Sequence, residues 1–477
     1  MNLLLVIPDG TGIRNFLCTD FIEGVPATGS VTVWHALPPA SLAPFQARWG
    51  DRVRWLPLPP FREGIVARVL RQAKVYGQLY WQRESGLDLV LRQLRPRGRR
   101  SVRVLGATAR LLGTLAAGPR RLHWLDRLHW AAAGWGDQAA YTRVLRTVQP
   151  AVVFCTHQRA GRAVAALLAA RRAGIPTATF IYSWDNLPKG RMAVPADHYL
   201  VWSRHMAAEM ATYYPDVAAA RVHIVGTPQF EHYWNATLIQ PRAAFLASLG
   251  LDPQRPVVCF SGDDVASSPY DPTYLADLAA ALRALPAAQR PQLLFRRSPA
   301  DGGERYAPVL ARYPEIAVSA PLWLRPTAGA DWTGTVPLPA DVALLANVVA
   351  HCDLVVNIGS TMAMDFAIKG KPAIYLRYNP VDLPADSEWT ITNIYALPHF
   401  RSVHALQPVY WATAAADLGA LVQQVLAQPS DKAAARQAWL DHQVQAPLDR
   451  AGARCLAALA TIAGDAARAP LAEAVAQ

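Results

Sequence analysis

The residues best suited to chemistry lie in one segment, PLPADVALLANVVAHCDLVVNIGSTMAMDFAIKGKPAIYL, from Pro337 to Leu376. Asp353 to Ile358 reads as a buried strand, Gly359, Ser360 and Thr361 as the turn after it, and the residues to Ile368 as a helix. Backbone N–H groups and hydroxyls at a helix start suit a phosphate, because the donors and the helix dipole face its negative charge. Asp365 follows Thr361 by four residues, one helical turn, where a carboxylate could accept hydrogen bonds from ribose hydroxyls. The same spacing also fits an ordinary Ser/Thr helix cap with Asp365 in solvent. Upstream, Asp341 is placed to cap a helix ending near His351, while Gly370 closes the second helix and Pro372 opens the next strand.

Other chemistries lack their residues. The chain has no HExxH, Walker A loop or G-x-S-x-G, so metalloprotease, NTPase and serine-hydrolase readings have no support. Its five cysteines are scattered and never form C-x-x-C, which argues against a disulfide framework or thiolate zinc site. Asp263 and Asp264 read as the start of a turn or the lining of a cleft, and no metal is expected.

A repeated strand–helix architecture must position these side chains. Short apolar runs alternate with longer helical patterns, the mark of parallel strands joined by crossover helices. Strands are predicted over 3–7, 31–34, 53–58, 151–155, 177–182, 198–202 and 222–226, then over 256–261, 292–296, 316–319, 353–358 and 372–376. Two such sets predict an α/β chain of two doubly wound domains. The first covers 1–235 with a helical insertion over about 60–145; the second covers 236–463, its Ala-rich last helices able to pack back on the first, and 464–477 is a tail. With 477 residues and 52% hydrophobic composition the chain can fill two or three cores, and disorder is excluded.

The Pro337–Leu376 segment resembles the donor-nucleotide region of GT-B glycosyltransferases and their relatives, the UDP-GlcNAc 2-epimerases and CDP-glycerol glycerophosphotransferases. Pro337, Leu338, Asp341, Asn347, Ser360, Thr361 and Asp365 match in order. RVHIVGTPQFEHY, residues 221–233, is similar to the stretch closing the N-terminal domain in those families, with Gly226, Thr227, Phe230 and Glu231 matching. Residues 182–210 look like bacterial surface-polysaccharide transferases of the glycerophosphotransferase-like group.

The resemblance implies a GT-B fold, two Rossmann-like domains facing across a cleft. It also implies a metal-independent transferase moving a sugar from a nucleotide-activated donor to a lipid-linked or surface-glycan acceptor, with the donor as co-substrate and no further cofactor. The absence of any Asp-x-Asp triplet argues against the metal-bridged site of GT-A enzymes. Gly359, Ser360, Thr361, Asp365, Arg296, Arg297, Thr227 and Asp341 become the implied donor contacts. One departure is Arg296-Arg297-Ser298-Pro299, which stands where glycerophosphotransferase-like relatives often carry a basic-x-His-Pro motif. The arginines could clamp a diphosphate bidentately, or be two surface arginines at a strand end. CDP-glycerol-type transfer, nucleotide-sugar 2-epimerisation and a non-catalytic nucleotide-sugar-binding scaffold are the alternatives.

Ligands of open α/β sheets sit beyond the carboxyl ends of the strands. In the first domain those ends present Asp9, Gly10, Gly12, Arg14 and Asn15 after the first strand, His157 after AVVFC, and Trp184, Asp185 and Asn186 after TATFIY. An inverting transfer needs a base for the acceptor hydroxyl, and Asp9, His157 and Asp185 are the candidates. Each also has a structural reading: Asp9 in a tight G-x-G turn, His157 as a hydrogen-bonded side chain, Asp185 as an Asx turn.

Between Arg62 and Arg121 lie 14 Lys/Arg and 3 acidic residues, an excess of 11 within a chain whose net charge is +12. Tyr76, Tyr80, Trp81, Trp124 and Trp130 are interleaved or follow directly. Basic and amphipathic aromatic side chains together suit an anionic membrane surface. A solvated helical face in an Arg-rich chain, with 42 Arg to 5 Lys, is the plainer alternative, and no nucleic-acid motif accompanies the charge. MNLLLVIPDG reads as a first strand, not a secretory signal, and no apolar run reaches membrane-spanning length. A cytoplasmic protein is expected, peripheral at the inner face of the plasma membrane.

Overall fold

The computed structural model describes residues 1–84, 86–96, 98–134, 138–325 and 334–468. The chain divides into two compact units: Met1–Gln229 with the segment from Gln443 onward, and Phe230–His442.

The first unit holds a seven-stranded parallel sheet: β1 (Asn2–Ile7), β2 (Ser30–His35), β3 (Val53–Pro57), β4 (Val152–Cys155), β5 (Thr177–Phe180), β6 (His198–Val201) and β7 (Val222–Ile224), in the order β3-β2-β1-β4-β5-β6-β7. Its central strands are apolar on both faces because helices cover both, so LLLVI is a continuous run and not an alternating one. Leu3 through Ile7 are buried, and Phe16, Phe154 and Phe180 meet edge to face beneath them. Leu3↔Val152 through Val6↔Cys155 set the register of β1 and β4, so the loops after both strands leave the sheet side by side.

The second unit repeats the plan with β8 (Val257–Ser261), β9 (Gln292–Arg296), β10 (Ala317–Val318), β13 (Leu354–Asn357), β14 (Ala373–Leu376) and β15 (Tyr410–Ala412), ordered β10-β9-β8-β13-β14-β15. A two-residue pairing of β11 (Trp323–Leu324) with β12 (Val336–Pro337) stands apart. The two Rossmann-like sheets are those expected. β15 was not: it lies in the stretch read as helical, and three residues, YWA, are too short to show an alternating period. Helix Ala451–Arg468 also runs on into the stretch expected to be a tail, and residues 469–477 lie outside the described residues.

The insertion between β3 and β4 is helical, comprising Ile65–Gln82, Leu87–Gln93, Arg100–Leu115, Pro119–Ala133 and Ala139–Val148. Charge ties it to the sheet. Fully buried Lys74 donates to Asp126 at 2.9 Å, and Arg191, from the loop after β5, donates to the other Asp126 oxygen at 2.7 Å. Burial alone would raise the Asp126 carboxyl, but the two cations outweigh it and hold it below its ordinary value. Burial, with Lys74 adding to it, pushes the neighbouring His129 down to about 2, so that ring is neutral. Gln78 donating to the Leu187 carbonyl and Trp130 to the Ala193 carbonyl complete the tie.

Removing one partner of a buried pair leaves a charge without compensation, which costs about 3–5 kcal/mol. Asp126→Ala is expected to lower stability by that order, read from the urea midpoint at unchanged m-value.

Candidate active site

At the carboxyl end of the first sheet, Asp9 follows β1 and His157 follows β4. The strand register brings them together: His157 Nδ1 lies 2.7 Å from Asp9 Oδ2. Asp9 Oδ1 accepts from the Thr11 amide at 3.1 Å and from the Thr11 hydroxyl. Burial alone would raise the Asp9 carboxyl; the His157 charge and hydrogen bond, with the Thr11 donors, outweigh it and hold it below its ordinary value. An ionised carboxylate only accepts, so Nδ1 donates to it, and in the neutral ring Nε2 is then the acceptor. Both side chains keep 10% of their surface exposed. Gly12 makes the approach possible, since a Cβ there would sit 2.1 Å from the Thr156 hydroxyl. Gly10 is buried with it in the same 3-10 turn.

The other residues at this edge serve different ends. Arg14 donates to Gln229 at 3.1 Å. Asn15 is fully buried in the core below, which removes it from the expected cleft lining. Trp184 is likewise buried, only 4% exposed. Asp185 is held by Lys189 at 2.8 Å and by the Asn186 amide at 3.1 Å, the position of a turn residue and a weak one for a base. Asn186 accepts from Gln158 at 2.6 Å. Sequence inspection overlooked Gln158, Arg159 and Tyr182. Gln158 also accepts from the Tyr182 amide, Arg159 donates to the Asn186 carbonyl, and the Tyr182 ring lies 6.0 Å from that of His157. Only their place just after strands β4 and β5 could have flagged them. Thr227 belongs to this first unit and is fully buried.

In the second unit the Gly359-Ser360-Thr361 turn follows β13. Gly359 has φ +67°, and a Cβ there would meet the Phe400 ring at 2.4 Å, so both backbone and packing demand glycine. The Ser360 amide donates to Asn357 Oδ1 at 3.1 Å, and the Tyr375 hydroxyl donates to the Ser360 carbonyl at 3.1 Å. Helix Met362–Ile368 begins at Thr361 without a side-chain cap. All three turn residues are half-buried. Asp365 is not in solvent: it is 3% exposed and accepts from the Tyr233 hydroxyl at 2.7 Å.

Two expectations here change. Asp341 does not cap its helix, Pro339–His351, whose cap position is Leu338. Its carboxylate instead accepts from Arg296 at 2.9 and 3.1 Å, from the Leu322 amide at 2.8 Å and from the Trp323 indole at 2.7 Å. Arg296 and Asp341, taken singly as donor contacts, are therefore one buried pair joining the end of β9 to that helix. Arg296 Nη1 is buried and has no hydrogen-bond partner among the described residues. Arg297 is half-buried and donates to the Asp301 carbonyl, so it is no loose surface arginine.

Two outcomes follow. The folded Asp9 pKa lies below its unfolded value, so the pair stabilises the protein above the unfolded pKa and that stability is lost as pH falls through the folded one. Asp9→Asn is expected to lose less stability than the parent between about pH 5 and pH 2 in acid titration monitored by circular dichroism. Arg296→Ala strands the Asp341 carboxylate and should cost about 3–5 kcal/mol in urea unfolding.

No family model matches the chain, and no curated protein matches it. Solved structures do. The putative UDP-N-acetylglucosamine 2-epimerase of Listeria monocytogenes is 10% identical with a TM-score of 0.55, covering 97% of each chain. The UDP-GlcNAc 2-epimerase of Neisseria meningitidis, bound to UDP-GlcNAc, is 9% identical at TM-score 0.51, covering 97% of this chain and 100% of its own. Phytolacca americana UGT2, complexed with UDP-2-fluoro-glucose and pterostilbene, is 12% identical at TM-score 0.50, covering 97% of this chain and 100% of its own. What the chain shares with all three is the fold: two Rossmann-like parallel sheets, the GT-B architecture.

Proposed function

We propose that the protein is a glycosyltransferase moving a sugar from a nucleotide-activated donor to a hydroxyl of a lipid-linked or surface-glycan acceptor. The Asp9–His157 pair carries this reading. A ring whose Nδ1–H is held by an ionised carboxylate has one tautomer and one orientation, and its Nε2 is set to take a proton. Asp9 is then the orienting residue and His157 the base.

In the transfer, His157 Nε2 takes the acceptor O–H proton as the oxygen attacks the anomeric carbon. The bond from that carbon to the diphosphate breaks, and the nucleoside diphosphate leaves with the electron pair. The developing negative charge needs fixed donors, and within the second unit the Ser360 and Thr361 hydroxyls are the candidates for binding a donor diphosphate. A base acting directly on the acceptor fits single displacement with inversion at the anomeric carbon.

The comparisons also favour a second reading, a nucleotide-sugar 2-epimerase, since two of the similar structures carry that name. The reactions separate cleanly. With native lipid extract as acceptor and a panel of radiolabelled nucleotide sugars, one donor should give labelled lipid or glycan. His157→Ala should abolish the transfer, and Asp9→Asn should lower kcat on the order of 10⁴-fold through the wrong tautomer, with KM for the donor little changed. A C2-epimerised nucleotide sugar formed without acceptor would establish the epimerase instead. Binding of a donor without turnover of any would leave a scaffold.

A further inference from the structure

The helical insertion presents a surface that the reaction does not use. Helix Arg100–Leu115 packs on helix Ile65–Gln82 through small residues, Ala109 and Gly113, and a Cβ at Gly113 would lie 2.6 Å from the Ala73 carbonyl; Gly106, also buried, lies against Pro96. With its small residues inward, the helix turns larger apolar ones out. Val104, Leu111 and Leu115 are 64, 61 and 62% exposed, spaced seven and four residues apart on one face. Helix Pro119–Ala133, which also packs on Ile65–Gln82, likewise leaves Trp124 61% and Leu128 51% exposed. These two rows are flanked by exposed Arg99, Arg100, Arg103, Arg110, Arg120 and Arg121.

Between residues 89 and 128 there are ten arginines and one acidic residue, Asp126, which is buried and paired. Arg97, one of the ten, lies outside the described residues. Beside Arg110 is a pocket of about 290 Å³, lined by Tyr76, Tyr80, Arg92, Arg95 and Arg110 with one carboxylate, Asp88. The Arg110 guanidinium donates to the Tyr80 hydroxyl at 2.8 Å, which holds it at the pocket.

We propose that this face docks on an anionic lipid bilayer. Val104, Leu111, Leu115 and Trp124 enter the headgroup–acyl boundary, the arginines meet lipid phosphates, and the Tyr80–Arg110 pocket seats one headgroup phosphate. Charge complementarity selects this occupant. A second copy would set arginine against arginine, and nucleic acid would use the arginines but give no reason for the exposed aliphatic rows. The proposal is independent of the reaction assigned above.

The test is vesicle sedimentation of the full chain with phosphatidylcholine alone and with phosphatidylcholine mixed with phosphatidylglycerol. Binding is expected to the mixed vesicles and to fall as salt rises. Changing Arg100, Arg103 and Arg110 together to Gln should weaken it on the order of 100-fold. Leu111→Ser, Leu115→Ser and Trp124→Ser together leave the charge unchanged and should weaken it by about tenfold or more. All six positions are solvent-exposed, so thermal melts should match the parent. Equal binding to both vesicle types, or an apolar triple variant that binds like the parent, overturns the proposal. So does absence of vesicle binding together with affinity for duplex DNA that only the Arg variant loses.

Discussion

The parallel pairing of β1 with β4 is the constraint on which the candidate active site depends. These strands are 150 residues apart in sequence at Val6 and Thr156, where the Thr156 amide donates to the Val6 carbonyl at 3.1 Å. Parallel strands send both carboxyl ends to the same edge, so Asp9 and His157 leave the sheet as neighbours. Gly12 then lets the turn after β1 close on Thr156 without collision. A one-residue slip in this register would reverse the faces of the strand and separate the carboxylate from the imidazole.

Charge that is committed to structure is as informative as charge left available. Arg296 and Asp341 hold each other, with the Trp323 indole and the Leu322 amide satisfying the carboxylate further, so the end of β9 and the helix after β12 are fastened at one point. Lys74, Asp126 and Arg191 do the same for the helical insertion and the loop after β5. That loop also carries Asn186, bonded to Gln158 and Arg159 next to His157 in sequence, so the buried triad reaches the site through the backbone it anchors. Such pairs are expensive to break and contribute little beyond an apolar replacement; their visible effect here is to give each element one place.

The insertion shows how the same residues divide between inside and outside. Ala109 and Gly113 allow a close helix crossing, and the helical period then commits Val104, Leu111 and Leu115 to the outer face. Exposed aliphatic side chains between arginines are unusual on a surface meant only for water. Among the described residues no helix is long and apolar enough to cross a membrane, so contact with a bilayer would be made by this face lying on it.

The sequence by itself determined the longer strands of the two Rossmann-like sheets and the helical character of the insertion, though not the short β11, β12 and β15, because buried parallel strands and amphipathic helices write their periods locally. It also placed Asp9, His157 and the Gly359–Thr361 turn at strand ends, where ligands of such sheets bind. It did not show which carboxylate would meet the histidine. It equally hid that Asp341 would be taken by Arg296, that Asp365 would turn inward to Tyr233, or that Asn15 and Thr227 would be buried. Those outcomes belong to the tertiary structure, since each depends on a partner tens to hundreds of residues away, and no local pattern records which distant donor a carboxylate will meet.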